Sequence, residues 1–265
     1  MLLLAAAAAV LNTGCAGGDD LPPFPGQAPP ETLLVVVLDS IPHDASAFTQ
    51  GFEMHDGLLW EGTGLYGSSE IRITDPVTGE VLASSPLSDT LFGEGITHSG
   101  GSVYQLTWQS GVVLKWNPAT LEATVAGFIG TQGWGLCSMG DSILVTSEGS
   151  SILYFRDPAS LAVIRTVLVS MQGEPQWRLN ELEYAGGFIW ANQWNSDRIL
   201  KIDPQDGSVA GIVFAPGLLD AGEAARADVM NGIAWDPARE AFLVTGKLWP
   251  WTFVVRFEPR QASGA

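Results

Sequence analysis

Cysteine, histidine and basic side chains are scarce in this sequence, and each shortage excludes something. The 265 residues include 2 cysteines, Cys15 and Cys137, which cannot build a disulfide framework. The 3 histidines, His43, His55 and His98, have no close ligand spacing and Cys137 is isolated, so zinc has little support. Lys and Arg number 12 against 29 Asp and Glu, a formal charge of -17 at pH 7. A phosphate backbone or an anionic membrane would be repelled over most of such a surface, so nucleic acid is not expected as a partner. Charged residues make up only 15% of the chain, too few for a long disordered polyelectrolyte. A P-loop, a Gly-x-Ser-x-Gly elbow and a Ser-x-x-Lys motif are all missing, which leaves ATP use and acyl-serine chemistry without sequence support. Sustained helical periodicity is missing too, except at Leu218 to Met230.

What the chain has in abundance is turn formers and large aromatics, with 31 Gly, 16 Pro and 10 Trp. Short strands punctuated by turns begin at Leu33 and define an all-β class. An Asx-Pro turn recurs at Asp75-Pro76, Asn117-Pro118, Asp157-Pro158, Asp203-Pro204 and Asp236-Pro237. The intervals run from about 33 to 46 residues, the range of four-stranded propeller blades. Before four of these turns lies a β-rich run, such as Ile71-Arg72-Ile73 or Ile199-Leu200-Lys201-Ile202, and further upstream a Gly-led apolar strand, such as Gly57-Leu58-Leu59-Trp60. The last turn precedes its strand, Ala241 to Val244, and so is expected at a different corner of its unit. Five units at about 45 residues fill the span from Leu33 to Phe257, which predicts a five-bladed β-propeller. Leu33 to Leu38 is expected to pair with Phe253 to Phe257 and close the ring, which protects strand edges. A β-sandwich with regularly spaced turns is the alternative.

Residues 1–15 read as a signal peptide, because the apolar run Met1 to Leu11 is too short to span a bilayer. Small residues before Cys15 resemble a lipoprotein cleavage site, after which Cys15 would carry the lipid, although Asn12 and the absence of Lys or Arg before the run depart from that pattern. A plain signal peptide cut nearby is the other reading. Export to the periplasm or cell envelope follows from either, a misassigned start codon being the remaining alternative, and a lipid at Cys15 would be the only membrane contact. The proline-rich residues 16–32 read as an unstructured linker, 33–258 as one catalytic propeller domain and 259–265 as a tail.

Polar and aromatic residues concentrate at matching places in successive units, and such segments meet around the axis of a propeller. They read Phe48-Thr49-Gln50-Gly51, Thr63-Gly64-Leu65-Tyr66-Gly67, Gly93-Glu94-Gly95-Ile96-Thr97, Leu106-Thr107-Trp108 and Gly133-Trp134-Gly135-Leu136 in the first part of the chain. Asn180-Glu181-Leu182-Glu183, Trp190-Ala191-Asn192, Asn231-Gly232-Ile233-Ala234 and Thr245-Gly246-Lys247-Leu248-Trp249-Pro250 follow. In this order they resemble the plant and bacterial glutaminyl-peptide cyclotransferases, from about Ile41 to Trp251. That resemblance implies a five-bladed propeller that closes the N-terminal glutamine of peptides or proteins into pyroglutamate with loss of ammonia. It also implies that no catalytic metal is needed; no cofactor and a monomeric chain are expected. Cys137, Gln193 and Ser147-Glu148-Gly149-Ser150 depart from the family pattern.

The reaction needs one group to take a proton from the α-amine and give it to the departing nitrogen. A carboxyl whose pKa is raised by an apolar pocket can do both. Glu94 is the candidate the resemblance implies, with Phe92 as an apolar wall, whereas a bare Gly-Glu-Gly more often marks a solvated turn. By the same resemblance Gln50 and Asn180 hold the substrate, and Lys247 stabilises the oxyanion or orients Glu94. Phe48, Trp108, Trp134 and Trp194 would line the pocket, while Trp60, Trp116, Trp190 and Trp235 read as core. A lactonase-type propeller would instead recruit Glu61, Asn180, Asn231 and Asp236 as Ca²⁺ ligands. A non-catalytic binding propeller would use the tryptophans as a stacking platform.

Overall fold

The computed structural model describes residues 28–260. The signal peptide expected at 1–15, with Cys15, and most of the linker expected at 16–32 lie outside the described residues. Strand β1 (Glu31–Pro42) opens the described chain. A first four-stranded sheet follows, made of β2 (Thr49–His55), β3 (Leu58–Thr63), β4 (Glu70–Thr74) and β5 (Val81–Pro86). The second comprises β6 (Gly93–Ser99), β7 (Ser102–Thr107), β8 (Val112–Trp116) and β9 (Ala123–Phe128). The third comprises β10 (Leu136–Ser138), β11 (Leu144–Thr146), β12 (Ile152–Arg156) and β13 (Val163–Leu168). A two-stranded ribbon of β14 (Ser170–Met171) and β15 (Glu174–Pro175) leads on to β16 (Leu179–Ala185), β17 (Phe188–Gln193), β18 (Arg198–Ile202) and β19 (Val209–Phe214). After the short helix α1 (Ala221–Ala224) come β20 (Met230–Asp236), β21 (Ala241–Gly246) and β22 (Trp251–Pro259).

The last seven of these strands and β1 form one eight-stranded sheet, in the order β16-β17-β18-β19-β1-β22-β21-β20. Strand β1 pairs antiparallel with β22, with Val35 opposite Phe257 and Val37 opposite Val255, as the apolar runs at the two ends of the chain predict. The parallel pairing of Glu31 to Leu34 with Gly211 to Phe214 was not expected from the pattern. It starts β1 at Glu31, ahead of the apolar run. The first strands of successive units also lie against one another, β2 with β6, β6 with β10, β10 with β16, β16 with β20 and β20 with β2. Apolar clusters fill the spaces between neighbouring sheets; Ile71, Ile96, Val103 and Trp116 make up part of one, and Trp116 Nε1 donates to Gln105 at 3.0 Å.

The Asx-Pro turns explain the spacing of the strands. Asp75 joins β4 to β5 and accepts the backbone N–H groups of Val77 and Thr78 at 2.8 Å each, a local bond that stops the strand without tertiary help. Asn117, Asp157 and Asp203 cap the same third-to-fourth strand corner of their units. Asp236 ends β20 at its turn to β21, the different corner that its short interval implied. Because strands alternate in direction, the third-to-fourth corners lie at the opposite end of each sheet from the starts of the first strands. The helical stretch expected between Leu218 and Met230 shrinks to α1, held by a capping box in which Asp220 and Glu223 bond each other's backbone N–H.

Candidate active site

The first strands of four units carry a bulge at the same level, near their starts. In β2, Thr49 faces Thr63 and Gly51 faces Gly62, so Gln50 is the extra residue. In β6 the register jumps between Gly93 and Ile96, in β16 between Leu179 and Leu182, and in β20 between Met230 and Ile233. These jumps span Glu94, Asn180 and Asn231. A bulge releases its residue from the strict in-and-out alternation of a strand and re-aims the side chain. The same local irregularity thus turns Gln50, Glu94 and Asn180 toward a common space, with Asn231 bonded to Gln50. Gly95 permits the neighbouring unit to approach: a Cβ there would stand 2.5 Å from Leu136 N, and its own N–H donates to the Trp134 carbonyl at 2.8 Å.

The common space is a cavity of about 470 Å³. Glu94, Lys247, Gln50 and Asn180 line it together with Phe48, Phe92, Trp108, Trp134 and Trp194, so the structure brings every residue expected at the site to one place. Leu65, Asn195, Asp228 and Val229 line it as well and were not expected. Leu65 and Asn195 sit at φ 83° and 60°, conformations set by tertiary packing, and Asp228 lies in the stretch that reads as helical. Asp228 could have been sought as a counter-charge for a buried lysine. It stands beside Lys247 through paired backbone bonds, its N–H donating to the Lys247 carbonyl at 2.9 Å while Lys247 N–H donates to Val229 at 3.0 Å.

The aromatic walls interlock. Phe92 meets Phe48 edge-on at 6.1 Å and Trp108 at 5.5 Å between ring centroids, while Trp134 meets Trp194 edge-on at 5.8 Å. Lys247 Nζ lies 4.6 Å from the Phe48 ring centroid, a cation held over a π face. Trp60, Trp116 and Trp190 are buried as core residues, whereas Trp235, expected with them, is only half-buried against Phe242.

Glu94 is 4% exposed, and its Oε1 accepts from Gln50 Nε2 at 3.2 Å. Burial pushes its carboxyl well above the ordinary value, and the positive charge of Lys247 offsets this only in part. Burial lowers the Lys247 ammonium, against the pull of Glu94 and Asp228. The Gln50 amide is held on its other side by Asn231 Nδ2 at 3.1 Å. Asn180 Oδ1 and Trp134 Nε1 are buried with no hydrogen-bond partner, both on residues that line the cavity. Burying a polar atom without a partner costs about 1–3 kcal/mol, which an incoming ligand group would relieve.

The residues drafted as Ca²⁺ ligands are divided among different places. Glu61 bonds His43 and Thr49, Asp236 is engaged by Arg239 and the N–H of Ala238, and Asn231 bonds Gln50. Among the described residues no three or more His, Cys, Asp or Glu side chains converge as a metal set. Glu183 lies apart from the cavity, beside Glu53 and Cys137 in a smaller one of about 110 Å³.

Comparison with known proteins gives a consistent family. The glutamine cyclotransferase family model matches residues 3–257. A glutaminyl-peptide cyclotransferase of Arabidopsis thaliana is 38% identical over 236 residues, 86% of this chain and 72% of that protein. The crystal structure of Myxococcus xanthus glutaminyl cyclase matches with a TM-score of 0.79 at 33% identity, covering 88% of this chain and 100% of that one.

Proposed function

This chain belongs to the glutamine cyclotransferase family, and on that premise we propose that Glu94 moves the proton in its reaction. The protein converts the N-terminal glutamine of peptides or proteins to pyroglutamate and releases ammonia. The α-amine nitrogen bonds to the side-chain amide carbon, that carbon's oxygen gathers negative charge, and the bond to the amide nitrogen breaks. Glu94 as a carboxylate takes the proton from the amine and returns it to the departing nitrogen, which leaves as ammonia. The observation that carries this is a carboxyl buried at an aromatic-lined cavity and pushed up by that burial, because raising a carboxyl above its ordinary range makes it a better base while it can still give the proton back.

The remaining roles follow from what each side chain still lacks. Gln50, already bonded to Glu94 and Asn231, positions the carboxyl. Asn180 Oδ1 accepts an N–H of the bound glutamine, and Trp134 Nε1 donates to one of its oxygens. Lys247 supplies positive charge to the developing oxyanion. Phe48, Phe92, Trp108 and Trp194 exclude water and fold the glutamine side chain toward its own amine.

The architecture we infer is a five-bladed β-propeller over 33–258. Its support is the repeated four-stranded unit, the cyclic adjacency of the first strands, and β1 acting as the outer strand beside β22. We also infer export, from the apolar run and Cys15; mass spectrometry of the mature protein should find cleavage before a lipid-bearing Cys15, and an intact Met1 would sink that idea. The test of the reaction is direct. Incubation with a Gln-led dipeptide should release ammonia in equal amount to pyroglutamyl product, and absence of both refutes the assignment.

A further inference from the structure

The aromatic wall of the cavity has a second side. Trp134 lines the cavity and also an adjoining open groove of about 590 Å³, whose far edge is Trp177. Gly149, at φ 80°, makes the shared wall possible: a Cβ there would stand 2.7 Å from the Trp134 ring, so only glycine lets the indole lie against this backbone. Trp177 is 59% exposed, a large apolar surface with no core to fill, while its carbonyl is fixed by Gln193 Nε2 at 2.9 Å. Between the two tryptophans the groove offers a carboxylate. Glu148 Oε1 accepts from the Tyr154 hydroxyl at 2.7 Å and from Ser150 at 3.3 Å. Burial first, and then the bond to Glu148, push the Tyr154 phenol up to about 12, so it remains a donor and holds the carboxylate in place.

A glutamine side chain and its amine occupy the cavity, and every later residue of a peptide substrate must leave it, advancing about 3.3–3.6 Å per residue when extended. We propose that the second to fourth residues of the substrate leave over Trp134 into the groove between it and Trp177, where Glu148 selects basic side chains over acidic ones. The proposal rests on the cyclotransferase reading of the cavity. It assigns Glu148 and Trp177 to specificity and gives them no part in ring closure. A neighbouring groove on the other side of Trp177 carries Arg178 and Arg198, so a substrate that left that way would show the opposite preference.

The experiment compares Gln-Ala-Lys-Lys with Gln-Ala-Glu-Glu, and both with glutamine amide. Ammonia release is measured with the parental protein, and binding is measured by calorimetry with Glu94→Gln. A half-buried carboxylate should give about a fivefold preference for the lysine peptide in both readouts. Glu148→Gln should abolish that preference. Glu122→Gln, which removes an exposed charge at the opposite end of its sheet, should keep it and so controls for the overall charge of -17. Trp177→Ala should raise KM for both tetrapeptides about tenfold through lost stacking area, while glutamine amide is turned over as before. Equal binding of the two peptides, preference for the glutamate peptide, or the same loss in Glu122→Gln overturns the groove. Absence of ammonia from all three substrates overturns the reaction instead, and binding to Glu94→Gln still decides the groove.

Discussion

Glu94 and Glu61 are both glutamates in inner strands, 4% and 1% exposed, yet their surroundings drive them in opposite directions. Burial pushes both carboxyls up. Around Glu61 that push is overcome by the charge and hydrogen bond of His43 at 3.1 Å, by Arg72 and by the Thr49 hydroxyl at 2.7 Å, and the carboxyl ends below its ordinary range. Glu94 has only an amide at 3.2 Å and the charge of Lys247, and it ends well above. Consecutive residues feed the two sites. Thr49 and Gln50 point to different sides of β2, one serving the ion-pair network and the other the cavity. Burial alone therefore does not decide protonation; the partners that burial admits do. The network holds a charge in place, and the cavity favours a protonated carboxyl.

The comparison breaks most severely at Glu94. Glu94→Gln should lower turnover by at least about 10²-fold, since it keeps size and hydrogen bonding but cannot carry the proton. A carboxyl whose folded pKa is raised destabilises the fold increasingly as pH rises from its unfolded value of about 4.3 toward that folded pKa. Thermal melting at neutral pH should accordingly show Glu94→Gln at least as stable as the parent. Glu183→Gln, at a partly buried carboxyl outside the cavity, should keep near-parental turnover. If it is dead and Glu94→Gln is not, the shuttle has been misplaced.

Next in size, Lys247→Ala should cost about 10²-fold in turnover by removing positive charge from the oxyanion. It also removes the only charge that draws the Glu94 carboxyl down, so the acid limb of kcat/KM against pH should move to higher pH. A slower enzyme with an unmoved limb would separate Lys247 from Glu94.

Smallest in turnover but large in stability, Glu61→Gln should cost about 3 kcal/mol in urea unfolding, because it takes from the buried His43 ring its carboxylate partner and leaves Arg72 with only Asp44 and Glu70. Turnover per folded molecule should stay close to parental. The pH dependence follows from the directions of the two shifts. Glu61, lowered on folding, contributes stability that is present above its unfolded value of about 4.3 and is lost as pH falls through the folded pKa. His43, raised on folding because Glu61 and the Trp249 carbonyl outweigh burial, contributes stability present below about 6.5 and lost as pH rises through its folded pKa. Melting temperatures across pH should show both flanks in the parent and neither in Glu61→Gln.

Much of the site was legible because its residues lie in short contiguous segments that repeat at the same place in each unit. The Asx-Pro corners were legible for a local reason: a side-chain oxygen and a fixed proline φ terminate a strand without help from elsewhere. The bulges at Gln50, Glu94, Asn180 and Asn231 were not, since a bulge is a property of the register between two strands and leaves no mark in either alone. For the same reason the parallel pairing of β1 with β19 was missed, as it joins segments remote in sequence through a short backbone ladder. Asp228 and Asn195 enter the cavity from loops, Asp228 through backbone bonds to Lys247 that no local pattern marks. Trp235 was read as core from its strand pattern, but near the end of β20 it packs against Phe242 and stays partly exposed.

The double pairing of β1 also bears on when the protein can fold during its synthesis. The first strand of the described residues bonds to Gly211–Phe214 and to β22, so it finds its partners only after the four-stranded sheets between them have been made. The intervening four-stranded sheets can form as they appear, whereas the leading strand must wait with its backbone unpaired for almost the whole chain. A chain of this design can complete its largest sheet only once β22 has emerged to meet β1.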